Sequence, residues 1–274
     1  MRFGVTLPPF NEWSDPRTLM TIASEADASG WDGFFLWDHV TWDPSWGGTP
    51  AIADPWLCLA AAATVTSRLL LGPMVTPLAR RRPQKVAREV LTLDHLSGGR
   101  AVLGVGLGAD EDYRAFGESL RRRGTRLDES LAVLTALLSG EEVDFEGAHL
   151  HVHCPPMLPR PVNGNVPIWV GGWWPNQAPF VRAARYDGVV PGKVGQERGE
   201  SLTVEDLVAI RAAVGREDDC YEYVVSGTTA SPVDTAAVTA WAAAGATWWL
   251  ESLHPFGPHT EAMRDRVRAG PPRL

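Results

Sequence analysis

Strand-like and helix-like patterns alternate eight times along 274 residues, and that rhythm predicts an α/β fold, a (β/α)8 barrel. Two further observations support it. Apolar runs such as Gly33-Phe34-Phe35-Leu36-Trp37 and Ala101-Val102-Leu103-Gly104-Val105 lack polar alternation, so both faces should be covered, as in a parallel sheet. The helices also open on repeated punctuation, Asp15-Pro16, Asp54-Pro55 and Pro83, which suits an N-cap or a proline at the first helical position. An open doubly wound sheet is the competing arrangement; it would usually show two cores and a linker, and no linker is visible. A single domain over residues 1–274 is expected.

Taken in order, Arg2 to Leu7 reads as a strand stopped by Pro8-Pro9. Leu19, Ile22, Ala23 and Ala26 recur at helical spacing up to Gly30, and the second strand ends in Asp38-His39. Residues 40–53 hold tryptophan, glycine and proline without periodicity and read as a loop over a pocket. A helix from Asp54, a strand from Arg68 to Val75 and a helix from Pro83 lead to Gly98-Gly99 and the fourth strand. Residues 106–117 then read as a glycine-spaced loop with an acidic-aromatic patch. The fourth helix, Asp128 to Leu138, is followed by an inserted hairpin that turns at Gly147, ahead of the fifth strand. Pro167 to Val170 is that strand, with Gly171-Gly172 as its exit loop; helices and strands alternate from there to Arg268.

Composition narrows the function. A net charge of -8 argues against a nucleic-acid surface and suits a protein that handles small molecules. The three cysteines show no metal or disulfide spacing, no signal peptide is visible and no run is long enough for a membrane span. A cytoplasmic protein without membrane contact is expected. HExxH, GxSxG and Walker motifs are absent.

In a barrel the residues just after each strand face the ligand site. Three groups stand there or nearby. Asp38 could hold His39 in one tautomer for proton transfer, or the two could simply bond the loop that follows. Gly171 and Gly172 offer backbone N–H groups before a helix, either a phosphate cradle or a tight turn; Trp173 and Trp174 beside them favour a phosphate-bearing aromatic cofactor. His149, His151 and His153 share a strand face, yet they lie in the hairpin with no well-placed carboxylate partner. They read as an exposed face, and no metal is expected. Trp37, Trp42 and Trp46 would wall an apolar substrate pocket.

The segments FGVTLP, GFFLWDH, LLLGPMVTPLARRRPQKVAREVLTLDHLSGGRAVLGVGLG, PIWVGG and RAARYDGVV resemble the bacterial luciferase-like family of flavin- and deazaflavin-dependent oxidoreductases. The resemblance implies FMN or F420 at the C-terminal mouth of the barrel. Val75, Thr76, Gly106 and Gly108 would lie against the ring and Gly171 to Trp174 near the phosphate. It places His39 where deazaflavin members have a proton-transfer histidine. Ala109 and Asp110 stand where some members carry a glutamate, and the asparagine-valine-threonine motif of many FMN monooxygenases is missing. FMN and F420 both stay open, as do oxygen insertion and hydride transfer. A small, largely apolar organic substrate is implied, with a separate flavin reductase and a homodimer as partners. A flavin binder without turnover and a metal-dependent barrel hydrolase are the rival readings.

Overall fold

The computed structural model describes residues 1–46, 48–196, 200–253 and 260–274; the side chain of Trp46, expected in the substrate wall, lies outside the described part. Eight parallel strands run β3-β2-β1-β10-β9-β8-β7-β4 in one sheet. They are β1 (Arg2–Leu7), β2 (Gly33–Leu36), β3 (Leu70–Pro73), β4 (Leu103–Val105), β7 (Ile168–Trp174), β8 (Gly188–Lys193), β9 (Glu222–Gly227) and β10 (Trp248–Ser252). Parallel bridges Leu71–Ala101 and Thr76–Val105 join the two ends of that sheet and nearly close the barrel. An antiparallel pair, β5 (Val143–Glu146) and β6 (His151–Cys154), stands apart from it.

The helices are α1 (Pro16–Ala28), α2 (Pro55–Ala63), α3 (Pro83–Ser97), α4 (Asp110–Ala115), α5 (Arg123–Leu138), α6 (Ala178–Ala183), α7 (Val204–Val214), α8 (Ala236–Ala243) and α9 (Thr260–Arg268). Local chemistry explains their ends. Asp15 and Asp54 accept from the backbone N–H of Arg17 and Leu57, with proline at the first helical position in each. Gly98 closes α3 in the left-handed conformation, at φ 72°. The apolar stripe of α5, Leu127, Leu131, Leu134 and Leu138, turns inward against the sheet. No helix among the described residues is long and apolar enough to cross a membrane.

Two local readings need correction. The acidic-aromatic patch is the short helix α4, not a loop: Asp110, Glu111 and Asp112 crowd its first turn, where the helix dipole favours negative charge. The strand β7 also runs on through Gly171 and Gly172 to Trp174, because β8 continues beside it and pairs Gly171 with Val190 and Gly172 with Pro191.

Candidate active site

The barrel is filled at its base and left bare above. Phe35, Trp169 and Trp248 meet inside it with ring centroids 5.7, 5.8 and 5.4 Å apart, surrounded by Met74, Val102, Val224 and Leu250. Side chains two apart on a strand share a face, so the next inward positions are Trp37, Gly171, Ser226 and Ser252. Gly4 and Gly104 face the same plug, since a Cβ on either would meet Phe35, Leu250 or Met74; Thr6 and Gly106 therefore lie above them. Apart from Trp37, this upper layer has almost no side-chain bulk.

Val75 covers two of those glycines. A Cβ at Gly106 would come within 2.7 Å of one Val75 methyl, and a Cβ at Gly171 within 3.2 Å of the other. Gly108, at φ 79°, sits against Pro77 in the same way, and Gly172 against Pro179. Trp173 lies over Gly192 and is 52% exposed, whereas Trp174 packs on Phe180 at 5.5 Å. The Thr6 hydroxyl is buried without a hydrogen-bond partner among the described residues. An aromatic floor, glycine walls faced by Val75 and an orphan hydroxyl fit a flat polycyclic ring such as a flavin or deazaflavin.

His39 stands at the exit of β2 among aromatic rings, with Phe10, Trp37 and Trp42 centred 6.0, 6.2 and 5.3 Å away. Phe10 and Trp42 also meet edge to face at 5.2 Å, so the loop after His39 folds back over it. The carboxylate that faces His39 is Asp112 of α4, not Asp38. His39 Nδ1 lies 3.5 Å from Asp112 Oδ2, an ion-pair distance rather than a formed hydrogen bond. Asp112 is fully buried; its other oxygen accepts from the backbone N–H of Val40 and Thr41 at 3.2 and 3.0 Å. Arg80 approaches it to 3.7 Å. Burial pushes the Asp112 carboxyl up, but His39, the Thr41 N–H and Arg80 outweigh it and hold the group below the usual aspartate range.

Asp38 has a different task. Its Oδ2 accepts from the Thr76 hydroxyl at 2.7 Å and its Oδ1 from Arg81 at 2.7 Å. Thr76 in turn accepts from Trp56 Nε1 at 3.1 Å and is fully buried. The expected Asp38–His39 pair is thus replaced by a buried wall, and Thr76 spends its hydroxyl inside that wall instead of reaching into the mouth. Both residues lie just past the end of β2 and turn to opposite sides, Asp38 to Thr76 and Arg81 and His39 to Asp112. The expected phosphate cradle at Gly171-Gly172 is also revised: their backbone lies in the ladder with β8, and α6 begins only at Ala178.

Val75, Gly106, Gly171, Trp37, Trp42 and His39 do come to one end of the barrel. Sequence reasoning missed Asp112, Arg80 and Arg81. The acidic run Asp110-Glu111-Asp112 was visible, but choosing among the three needs the phase of α4. Chemically, the arrangement is an imidazole backed by a buried carboxylate inside an apolar enclosure; its second ring nitrogen can exchange a proton with a bound molecule.

Residues 1–270 match the luciferase-like monooxygenase family. An F420-dependent glucose-6-phosphate dehydrogenase of Beutenbergia cavernae is 36% identical over 166 residues, covering 59% of this chain and 48% of that protein. The chain spans about half the length of such relatives. Among solved structures, the F420-dependent tetrahydromethanopterin reductase of Methanopyrus kandleri superposes with a TM-score of 0.77 at 16% identity, covering 98% of both chains. The FMN-bound oxygenating constituent of 3,6-diketocamphane monooxygenase from Pseudomonas putida gives 0.67 at 21% identity, over 84% of this chain and 68% of the other. Both likenesses bear on the fold. With a barrel of this topology and a family match over nearly its whole length, the chain belongs to the luciferase-like monooxygenase family of oxidoreductases.

Proposed function

We propose that the protein is an F420-dependent oxidoreductase that transfers hydride to or from a small, largely apolar organic substrate at the C-terminal mouth of the barrel. The observation that carries this reading is His39, backed by the buried carboxylate of Asp112 and enclosed by Phe10, Trp37 and Trp42. A proton-handling histidine suits hydride transfer, in which a hydroxyl or carbonyl gains or loses a proton as carbon is reduced or oxidised. The name of the Beutenbergia cavernae relative supports F420.

Val75, Gly106 and Gly171 would hold the ring from behind, and Trp173 would border its outer end. When bound, F420 supplies the hydride chemistry of its deazaflavin ring. His39 holds or takes the substrate proton, Asp112 with Arg80 behind it fixes the imidazole, and Trp37 and Trp42 exclude water. The apolar preference follows from those rings and from how the nearby cations are spent. Lys193, at the end of β8, binds both oxygens of Asp206 at 2.8 and 2.7 Å, and Arg81 is bound to Asp38.

Parallel titration of the apo-protein with F420 and FMN, followed by cofactor fluorescence, tests the reading. Preference for F420, with its oxidation state changed by a member of a panel of apolar alcohols, ketones and enones, is expected. Preference for FMN would redirect the assignment to oxygen chemistry fed by a separate reductase. Tight binding without any substrate-dependent redox change would make the protein a binder, and binding of neither cofactor would overturn the site.

A further inference from the structure

The hairpin β5–β6 holds a second cluster of reactive side chains, independent of the mouth. Alternation sends Val143, Phe145 and Val152 toward the core and leaves Asp144, Glu146, His151 and His153 together on the outer face. The register sets Asp144 opposite His153 and Glu146 opposite His151. The carboxylates that the linear sequence did not offer these histidines therefore come from the facing strand. His153 Nδ1 lies 2.9 Å from Asp144, His153 Nε2 lies 3.0 Å from Glu146, and His151 Nδ1 lies 2.6 Å from the other Glu146 oxygen.

We propose that this face is a binding site for a divalent transition-metal ion of the Zn(II) type, with His153, Asp144 and Glu146 as ligands and His151 beside them as the fourth donor. One donor atom from each of the first three already lies within 4.8 Å of the others. Two imidazoles and two carboxylates are a nitrogen–oxygen set that Zn(II), Co(II) and Ni(II) accept, whereas Ca(II) and Mg(II) favour oxygen alone. Ligands about 2.0–2.2 Å from a tetrahedral ion stand roughly 3.3 Å from each other, so with one His153 nitrogen facing the ion the three donors, now within 4.8 Å of one another, draw together and the carboxylate at the other His153 nitrogen swings round to join them. The platform is also fixed from below. Glu129 of α5 accepts the backbone N–H groups of Ala148, His149 and Leu150 at 3.0, 2.8 and 2.9 Å, which pins the hairpin turn to the barrel. Donors on a pinned backbone lose less freedom on binding an ion than donors on a loose loop.

The test uses the whole, tag-free chain after chelator treatment. Zn(II) is titrated by calorimetry and Co(II) by its visible absorption. One ion per chain is expected, with nitrogen–oxygen rather than thiolate features in the Co(II) spectrum. His153→Ala and Asp144→Asn should each weaken binding by about tenfold or more, while His149→Ala, in the turn outside the donor set, should not. Zn(II) should raise the melting temperature of the native chain and leave that of His153→Ala unmoved. The four side chains are exposed, so these variants keep the fold, which circular dichroism checks. Absence of stoichiometric binding at sub-millimolar Zn(II), or binding indifferent to His153→Ala, overturns the proposal.

Discussion

His39 owes its place to residues from three separate stretches: the rings of Phe10 and Trp42, and the buried carboxylate of Asp112. Removing the imidazole in His39→Ala should lower turnover by about 100-fold or more, with cofactor affinity unchanged, as separate binding and single-turnover measurements would show. Asp112→Asn is the subtler test. The amide oxygen can still accept from Val40 and Thr41, so the loop holds, but the negative charge beside His39 is gone. Turnover should fall by on the order of tenfold while cofactor affinity persists. The place of His39 at a strand exit was legible in the sequence, because the apolar run from Gly33 to Trp37 ends just before it. Its partner was not. Adjacent Asp38 was the nearer choice on paper, yet past the end of β2 it turns into the wall with Thr76 and Arg81, and Asp112 arrives from a helix more than seventy positions away.

Among the elements, β3 and β4 meet more tightly than any side chain allows. A Cβ on Gly72 would stand 1.9 Å from the Val102 carbonyl oxygen, a backbone atom that cannot swing aside. Gly72→Ala should therefore destabilise the barrel by on the order of 3 kcal/mol, read from urea unfolding. Gly171→Ala meets the Val75 methyls at 3.2 and 3.3 Å and the Val105 carbonyl oxygen only at 3.4 Å, an ordinary contact, so it should cost far less stability than Gly72→Ala and weaken cofactor binding instead. The contrast separates glycines that close the barrel from those that shape its mouth. Most strands and long helices could be read from apolar runs and Asp-Pro punctuation, because those signals lie within each element. The reach of β7 through Gly171 and Gly172 could not, since glycine after a strand usually marks its end. Here the neighbouring β8 supplies the pairing that keeps the strand going. The helix α4 was hidden for a related reason: six residues hold too few turns to show a period.

Over the whole molecule, several carboxylates are held below their usual range. Asp112 is one; Asp128 is another, where burial works against the charge and Arg182 and Arg185 outweigh it. A carboxylate depressed in the folded state contributes stability that is complete above its ordinary value, about 4, and is lost as pH falls through the folded one. Thermal stability should accordingly hold near neutrality and drop below about pH 4, with Asp112→Asn flattening part of the acid limb in a series of melting curves. The plugged floor of the barrel has a further consequence, for traffic. Phe35, Trp169 and Trp248 shut the lower end, so a ligand in the upper layer would come and go by the mouth at the strand exits. A ring bound first would lie beneath a substrate bound second. A saturating substrate should therefore slow the escape of the cofactor, and because each hydride transfer changes the ring's redox state by two electrons, release of the spent ring from beneath would set the pace of turnover.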